Sequence, residues 1–252
     1  MHDYFNISEF LKDLILPPVC VICGSLSPLP LCSLCAGAIS FFGNHVCLQC
    51  GKPFKSDMPG NDGFDKNISS SKICDLCKNE DYHFYKARSF SLYEGKLAEL
   101  IRKYKYKKYY YLNDILAGFL ERAYKLYYSW EKLDYVDTVP NYNTYRGFDE
   151  LRGLPNHMQI LAKRFSEKIR IPFADNILKI RKTQQQQMLD RNHRIINQAD
   201  AFKVKDCLKV HGKNFLILDD VWTTGSTLNE ISITLKKAGA GRICLLTLAR
   251  GA

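Results

Sequence analysis

Four Cys-x-x-Cys pairs constrain the fold of this chain more than any other feature. They are Cys20–Cys23, Cys32–Cys35, Cys47–Cys50 and Cys74–Cys77, separated by eight, eleven and twenty-three residues. Such a turn holds two sulfurs close enough to share one tetrahedral ion. Two turns close a four-thiolate site with no open position. The pattern predicts two structural zinc ions. Disulfides are the weaker alternative, because the opening MHDYFNISEFLKDLILPP lacks a basic start and is broken by Pro17 and Pro18, unlike a secretory leader. Consecutive pairing, the first four cysteines and then the last four, suits two compact ribbons. A crossed pairing is also compatible with the spacing. Gly24 and Gly51 follow a pair's second cysteine and let the chain turn sharply there. If the ligands carry most of the module's stability, chelation should unfold it and spare the rest.

The remaining cysteines, Cys207 and Cys244, are isolated. This asymmetry divides the chain into a module over residues 1–85 and a larger domain over 86–252. Hydrophobic residues are 46% and charged residues 25% of the chain, a globular balance that excludes wholesale disorder. The longest apolar runs, Phe215–Leu218 and Ile243–Leu248, are too short to span a bilayer. A cytoplasmic location with no membrane span follows as an expectation. The formal charge is +10. Eight thiolates and two Zn²⁺ together contribute −4, which leaves about +6 in the metallated protein. That excess favours phosphate-bearing partners.

Apolar spacing predicts a helix over Ser8–Leu16, and the Gly-, Asn- and Ser-rich stretch Lys52–Lys72 reads as a flexible excursion. Beyond the module the pattern alternates. Strands are predicted at Phe90–Tyr93, Tyr135–Val139, Phe215–Leu218 and Ile243–Leu248. Helices are predicted at Lys96–Tyr110, Asn113–Tyr128, His157–Ile169 and Thr227–Ala238. The alternation gives an α/β domain with a parallel sheet flanked by helices.

The strongest chemical signal lies between Phe215 and Thr227. A buried run ends in Asp219 and Asp220, then passes through Thr223, Thr224, Gly225, Ser226 and Thr227 into a helix. Backbone N–H groups and hydroxyls at a helix N-terminus make an anion site. The lysine of a Walker loop is absent. Two carboxylates repel phosphate but accept hydrogen bonds from sugar hydroxyls. Phosphate beside a sugar diol points to a 5-phosphoribose ligand.

This segment resembles the phosphoribosyl-diphosphate motif of type I phosphoribosyltransferases. The resemblance implies that Asp219 and Asp220 hold the ribose 2′- and 3′-hydroxyls, that residues 223–227 cradle the 5′-phosphate, and that Mg²⁺ rides on the pyrophosphate. With four Cys-x-x-Cys pairs before it, the whole chain resembles the ComF/ComFC (GntX-like) family. Further carriers are Leu16-Pro17-Pro18, Tyr93-Glu94-Gly95, Lys105-Tyr106, Arg181-x-Thr183, Arg194-x-x-Asn197 and Thr247-Leu248-Ala249-Arg250. That resemblance implies handling of incoming single-stranded DNA in natural transformation, beside DNA-uptake or recombination proteins. The alternative is a Mg²⁺-dependent phosphoribosyltransferase acting on a base. After Val139-Pro140 the chain departs from the family's pattern, with Leu154-Pro155 between Arg152-Gly153 and Asn156-His157.

Two other segments have competing readings. Arg102–Tyr111 interleaves five positive charges with five tyrosines. It is either a contact for single-stranded DNA, with Tyr104 and Tyr106 stacking on bases, or an amphipathic helix with half-buried tyrosines. Arg181–Gln198 is either a cover over the ligand or a solvent-facing helix.

Overall fold

The computed structural model describes residues 18–43, 45–54, 73–140, 156–181 and 200–251. The expected helix over Ser8–Leu16, most of the Lys52–Lys72 excursion, the stretch around Arg152 and most of Arg181–Gln198 lie outside the described residues.

Four parallel strands form the main sheet: β1 (Lys86–Leu92), β2 (Tyr135–Thr138), β5 (Phe215–Trp222) and β6 (Ile243–Arg250), in the order β1-β6-β5-β2. Helices α3 (Gly95–Lys107), α4 (Asn113–Tyr127) and α5 (His157–Ile169) share one core with the sheet, around Phe90, Leu100, Leu116, Phe165, Leu216 and Leu246. Helix α6 (Ser226–Lys237) shares a second, around Phe215, Ile217, Ile231, Leu235 and Leu245. Phe215–Leu218 alternates between these two cores, which is why a central parallel strand reads as an unbroken apolar run. Among the described residues, no helix is long and apolar enough to cross a membrane.

β1 starts earlier and β5 and β6 end later than expected, whereas β2 stops one residue short, at Thr138. β1 starts at Lys86 because its polar residues are buried with partners: Ser89 Oγ meets Thr247 Oγ1 at 2.7 Å. β5 continues through both acids, since Asp219 and Val221 stay in register with Thr247 and Ala249. Helix α3 stops at Lys107, where Lys108 turns left-handed at φ 58°. Tyr110–Leu112 then forms a 3₁₀ turn, outside the expected helix. One element escaped the sequence reading altogether, an antiparallel pair of β3 (Ile177–Lys179) and β4 (Phe202–Val204). Three-residue strands are too short to show a period.

The cysteine segment is a pair of structural repeats. In each, a knuckle is followed by a short helix carrying the next cysteine pair: α1 (Ser33–Gly37) in the first and α2 (Asp75–Lys78) in the second. Gly24 N donates to Cys20 O and Gly51 N to Cys47 O, both at 2.9 Å, with φ near +70° in both glycines (72° and 70°). The repeats do not form a body apart. Cys20 and Cys35 lie in the core of α3 and α4, while Cys47 and Cys50 lie in that of α6. A Cβ on Gly51 would sit 2.6 Å from Ala87 O, so the second knuckle rests directly on β1. This packing argues against the expectation that chelation would spare the larger domain.

Candidate functional site

The eight cysteines gather as the consecutive sets Cys20, Cys23, Cys32, Cys35 and Cys47, Cys50, Cys74, Cys77, with the sulfurs of each set within 4.8 Å of one another. Sulfurs of Cys23 and Cys32, and of Cys50 and Cys74, are 3.7 Å apart. A regular tetrahedron with Zn–S bonds of about 2.3 Å has an edge of about 3.8 Å, so the thiolates fit zinc. Backbone N–H groups of Cys32 and Cys74 point at Cys20 Sγ (3.4 Å) and Cys47 Sγ (3.3 Å) and would stabilise the thiolate charge.

Asp219 and Asp220 lie in the C-terminal half of β5, at the sheet end where ligands of open α/β folds bind. Asp220 is buried; Asp219 is partly exposed. Lys105 Nζ on α3 donates to Asp220 Oδ2 at 2.5 Å, and His157 Nε2 at the start of α5 lies 3.5 Å from the same oxygen. Burial works against ionisation of Asp220, but His157 and the charge of Lys105 outweigh it and hold the carboxyl well below the ordinary range. Burial and the neighbouring Asp220 charge push Asp219 up to about 8. Lys179 on β3 lies within electrostatic reach of Asp219, its own pKa lowered by burial. The site thus holds two adjacent acids of opposite pKa shift, with the ammonium groups of Lys105 and Lys179 beside them.

The hydroxyl loop follows directly. Gly225, at φ 78°, is the N-cap of α6, and Asn229 N donates to its carbonyl at 2.8 Å. Thr224 Oγ1 and Ser226 Oγ are 2.9 Å apart, while Thr223 is exposed and Thr227 half-buried. Buried polar atoms beside this end are under-satisfied: Asn156 Nδ2 has no hydrogen bond among the described residues, and His157 Nε2 has only its 3.5 Å approach to Asp220. Buried polar atoms without partners are uncommon and mark places where a ligand can supply one.

Trp222 forms the floor. A Cβ on Gly225 would meet Trp222 Cζ2 at 2.3 Å. The ring packs edge-on to Phe84 at 5.6 Å and under the Arg250 guanidinium at 5.1 Å. Arg250 donates to Cys50 O at 2.7 Å. Arg88 donates to Leu48 O at 3.0 Å. The second thiolate set, Arg250, Trp222 and Gly225 are therefore one packed column reaching the hydroxyl loop.

A double zinc ribbon domain model matches residues 11–79, and a phosphoribosyl transferase domain model matches residues 156–252. The chain is a double zinc ribbon joined to a phosphoribosyltransferase domain. It is similar to Competence protein F of Haemophilus influenzae, at 29% identity over 87% of this chain and 96% of that protein. DNA utilization protein YhgH of Salmonella typhimurium is 26% identical, over 94% of this chain and 99% of its own. Competence protein ComFC of Streptococcus pneumoniae is 23% identical, over 87% of each. The parallel sheet and the two thiolate sets fit these domains.

The structure decides between the two readings of the basic helix at Tyr104. Tyr104 is 1% exposed; its hydroxyl lies 3.0 Å from Asn113 Oδ1 and 2.9 Å from His157 O and donates to one of them. It is a core residue and cannot stack on DNA. Lys103 pairs with Glu99 at 3.3 Å, and Lys105 is committed to Asp220. The buried stripe Leu97, Leu100, Ile101, Tyr104 has helical spacing, so the amphipathic reading holds for this face. Sequence reasoning missed Lys105 as a site residue and Trp222 and Arg250 as its support. The Lys105-Tyr106 and Ala249-Arg250 steps were the signals that pointed to them.

Proposed function

We propose that this protein binds a 5-phosphoribose ligand, phosphoribosyl pyrophosphate with Mg²⁺, and handles incoming single-stranded DNA during natural transformation, in the cytoplasm. The observation that carries the ligand is β5 running through Asp219 and Asp220 into the Gly225-capped start of α6. The loop N–H groups and hydroxyls of Thr223, Thr224, Ser226 and Thr227 take the 5′-phosphate, and the acids take the ribose hydroxyls. Mg²⁺ would neutralise the pyrophosphate beside the same end. Asn156 Nδ2 gains the partner it lacks, and His157 Nε2 a closer one. The DNA role draws on relatives named for competence and DNA utilization, similar over most of their lengths. Division of labour falls at residue 86, with a structural zinc module over 1–85 and the ligand domain over 86–252.

Saturating phosphoribosyl pyrophosphate with Mg²⁺ is expected to raise the melting temperature. At a hundredfold excess over Kd the gain is about 2.7 kcal/mol, roughly 5–10 °C for a domain of this size. Asp219→Asn combined with Asp220→Asn is expected to remove the shift while zinc content stays unchanged, since neutral amides bind hydroxyl donors less strongly. An unaltered shift in that variant would place the ligand elsewhere. Release of pyrophosphate in the presence of a base would favour the transferase reading, which the domain match supports.

A further inference from the structure

An open groove of about 870 Å³ is lined in part by Tyr85, Lys132, Asn214, Lys236 and Arg242. Its Asn214 and Arg242 side adjoins the starts of β5 and β6, while Tyr82 and Phe84, which also line it, pack against Trp222 at 6.3 and 5.6 Å. The charge here is unbalanced. Glu131 is shared by Lys86 at 2.8 Å and Arg242 at 2.5 Å, so two cations face one carboxylate. Lys132 and Lys236 are exposed, and neither pairs with a carboxylate among the described residues; Lys236 Nζ reaches only Gly241 O. With Arg242 paired to Glu131, the unpaired Lys132 and Lys236 leave this lining net positive, which attracts a polyanion.

Ring faces stand in and beside the groove: Tyr85 lines it, and Trp130 lies next to it across Lys86. Tyr85 is 50% exposed and Trp130 67%. Lys86 Nζ lies 5.7 Å from the Tyr85 centroid and 5.3 Å from that of Trp130, so the two rings flank one ammonium. The Arg242 guanidinium rests 4.3 Å from the Tyr85 centroid. Exposed aromatic rings in the same neighbourhood as the unpaired Lys132 and Lys236 are what single-stranded nucleic acid needs: rings for bases, cations for phosphates. A simple anion would need the cations but not the rings.

We propose that this groove is a binding site for single-stranded DNA, in which Tyr85 and Trp130 stack on bases while Lys132, Lys236 and Arg242 take phosphates. The polymer named rests on the DNA-handling reading above; the groove's chemistry rests on its own residues. Its cationic residues Lys132, Lys236 and Arg242 are none of those assigned to the phosphoribose ligand.

The chain's two tryptophans allow the sites to be read separately. Trp130 stands beside the groove, and Trp222, 2% exposed, lies under the phosphate loop. The experiment uses zinc-loaded full chain and an oligothymidylate. Quenching of emission at low salt, lost on adding salt, is expected to persist in Trp222→Phe and disappear in Trp130→Phe. Lys132→Gln with Lys236→Gln is expected to flatten the salt slope by about 1.4, two phosphate contacts at about 0.7 each. Tyr85→Ala is expected to weaken binding roughly tenfold with the slope kept. Arg242 is left intact because it also holds Glu131. Oligothymidylate bound as tightly by the lysine variant, with Trp130 unquenched, would overturn the groove and leave DNA handling to Arg102, Lys107 and Lys108 near α3. Absence of binding at low salt would overturn groove and DNA handling together. The phosphoribose reading would then be judged alone, through Trp222 emission in Trp130→Phe.

Discussion

Stripping zinc from the reduced protein is expected to unfold the sheet along with the ribbon. Each thiolate set shares a core with the larger domain, through Cys20 and Cys35 on one face and Cys47 and Cys50 on the other. Structural zinc contributes about 10–16 kcal/mol in small zinc peptides, against about 5–15 kcal/mol for the stability of a whole domain. Losing the metal also strands two buried cations. Arg88 and Arg250 are 8% and 6% exposed, and their acceptors include the carbonyls of Cys47, Leu48 and Cys50. A buried charge that loses its partner costs about 3–5 kcal/mol. Chelator titration in reductant, followed by Trp222 emission and hydrogen exchange, tests this. Amides of β6 are expected to lose protection at the same chelator concentration as the ribbon. Protected β6 amides above a fully exchanged ribbon would show that the ribbon is an independent appendage.

The parts legible in the sequence were those written locally. Phe215–Thr227 carries its strand, turn and helix in one run, and each Cys-x-x-Cys pair carries its own knuckle. Helix α5 runs over His157–Ile169, as the apolar spacing predicts. What the sequence hid is tertiary. Arg250 meets Cys50 across 200 positions of chain. Lys105 meets Asp220 across 115, and nothing in the helix's own pattern marks it apart from Lys103 or Lys107. Tyr104 is a middle case. Its place in the stripe with Leu97 and Ile101 puts it inside, but the tyrosine-rich composition around it suggested a stacking surface. The spacing outweighs the composition, because a side chain's face is fixed by helical period whatever its neighbours are. The consecutive pairing of thiolates was favoured by the short intervals but decided only by the two repeats in space.

Gly225 is where the ligand loop and its support meet, and its replacement is expected to be severe. Gly225→Ala imposes two separate penalties. At φ 78° an L side chain enters the left-handed region, at about 1–2 kcal/mol. The added methyl would also stand 2.3 Å from the Trp222 ring. That ring cannot swing away, because Phe84, Tyr82 and Arg250 surround it at 5.6, 6.3 and 5.1 Å. Overpacking of this kind costs about 1–3 kcal/mol. The sum, about 2–5 kcal/mol, corresponds to a fall in melting temperature of roughly 5–20 °C. Displacement of the cap should cost at least tenfold in affinity for phosphoribosyl pyrophosphate, since the loop N–H groups lose their common aim. The double variant Gly225→Ala with Trp222→Leu separates the penalties. Trimming the ring relieves the clash but not the φ strain, so against Trp222→Leu alone the alanine is expected to cost only about 1–2 kcal/mol. A cost that stays the same in both backgrounds, measured by denaturant unfolding, would mean the ring does not support the loop. The column from the second zinc set to the phosphate loop would then end at Arg250.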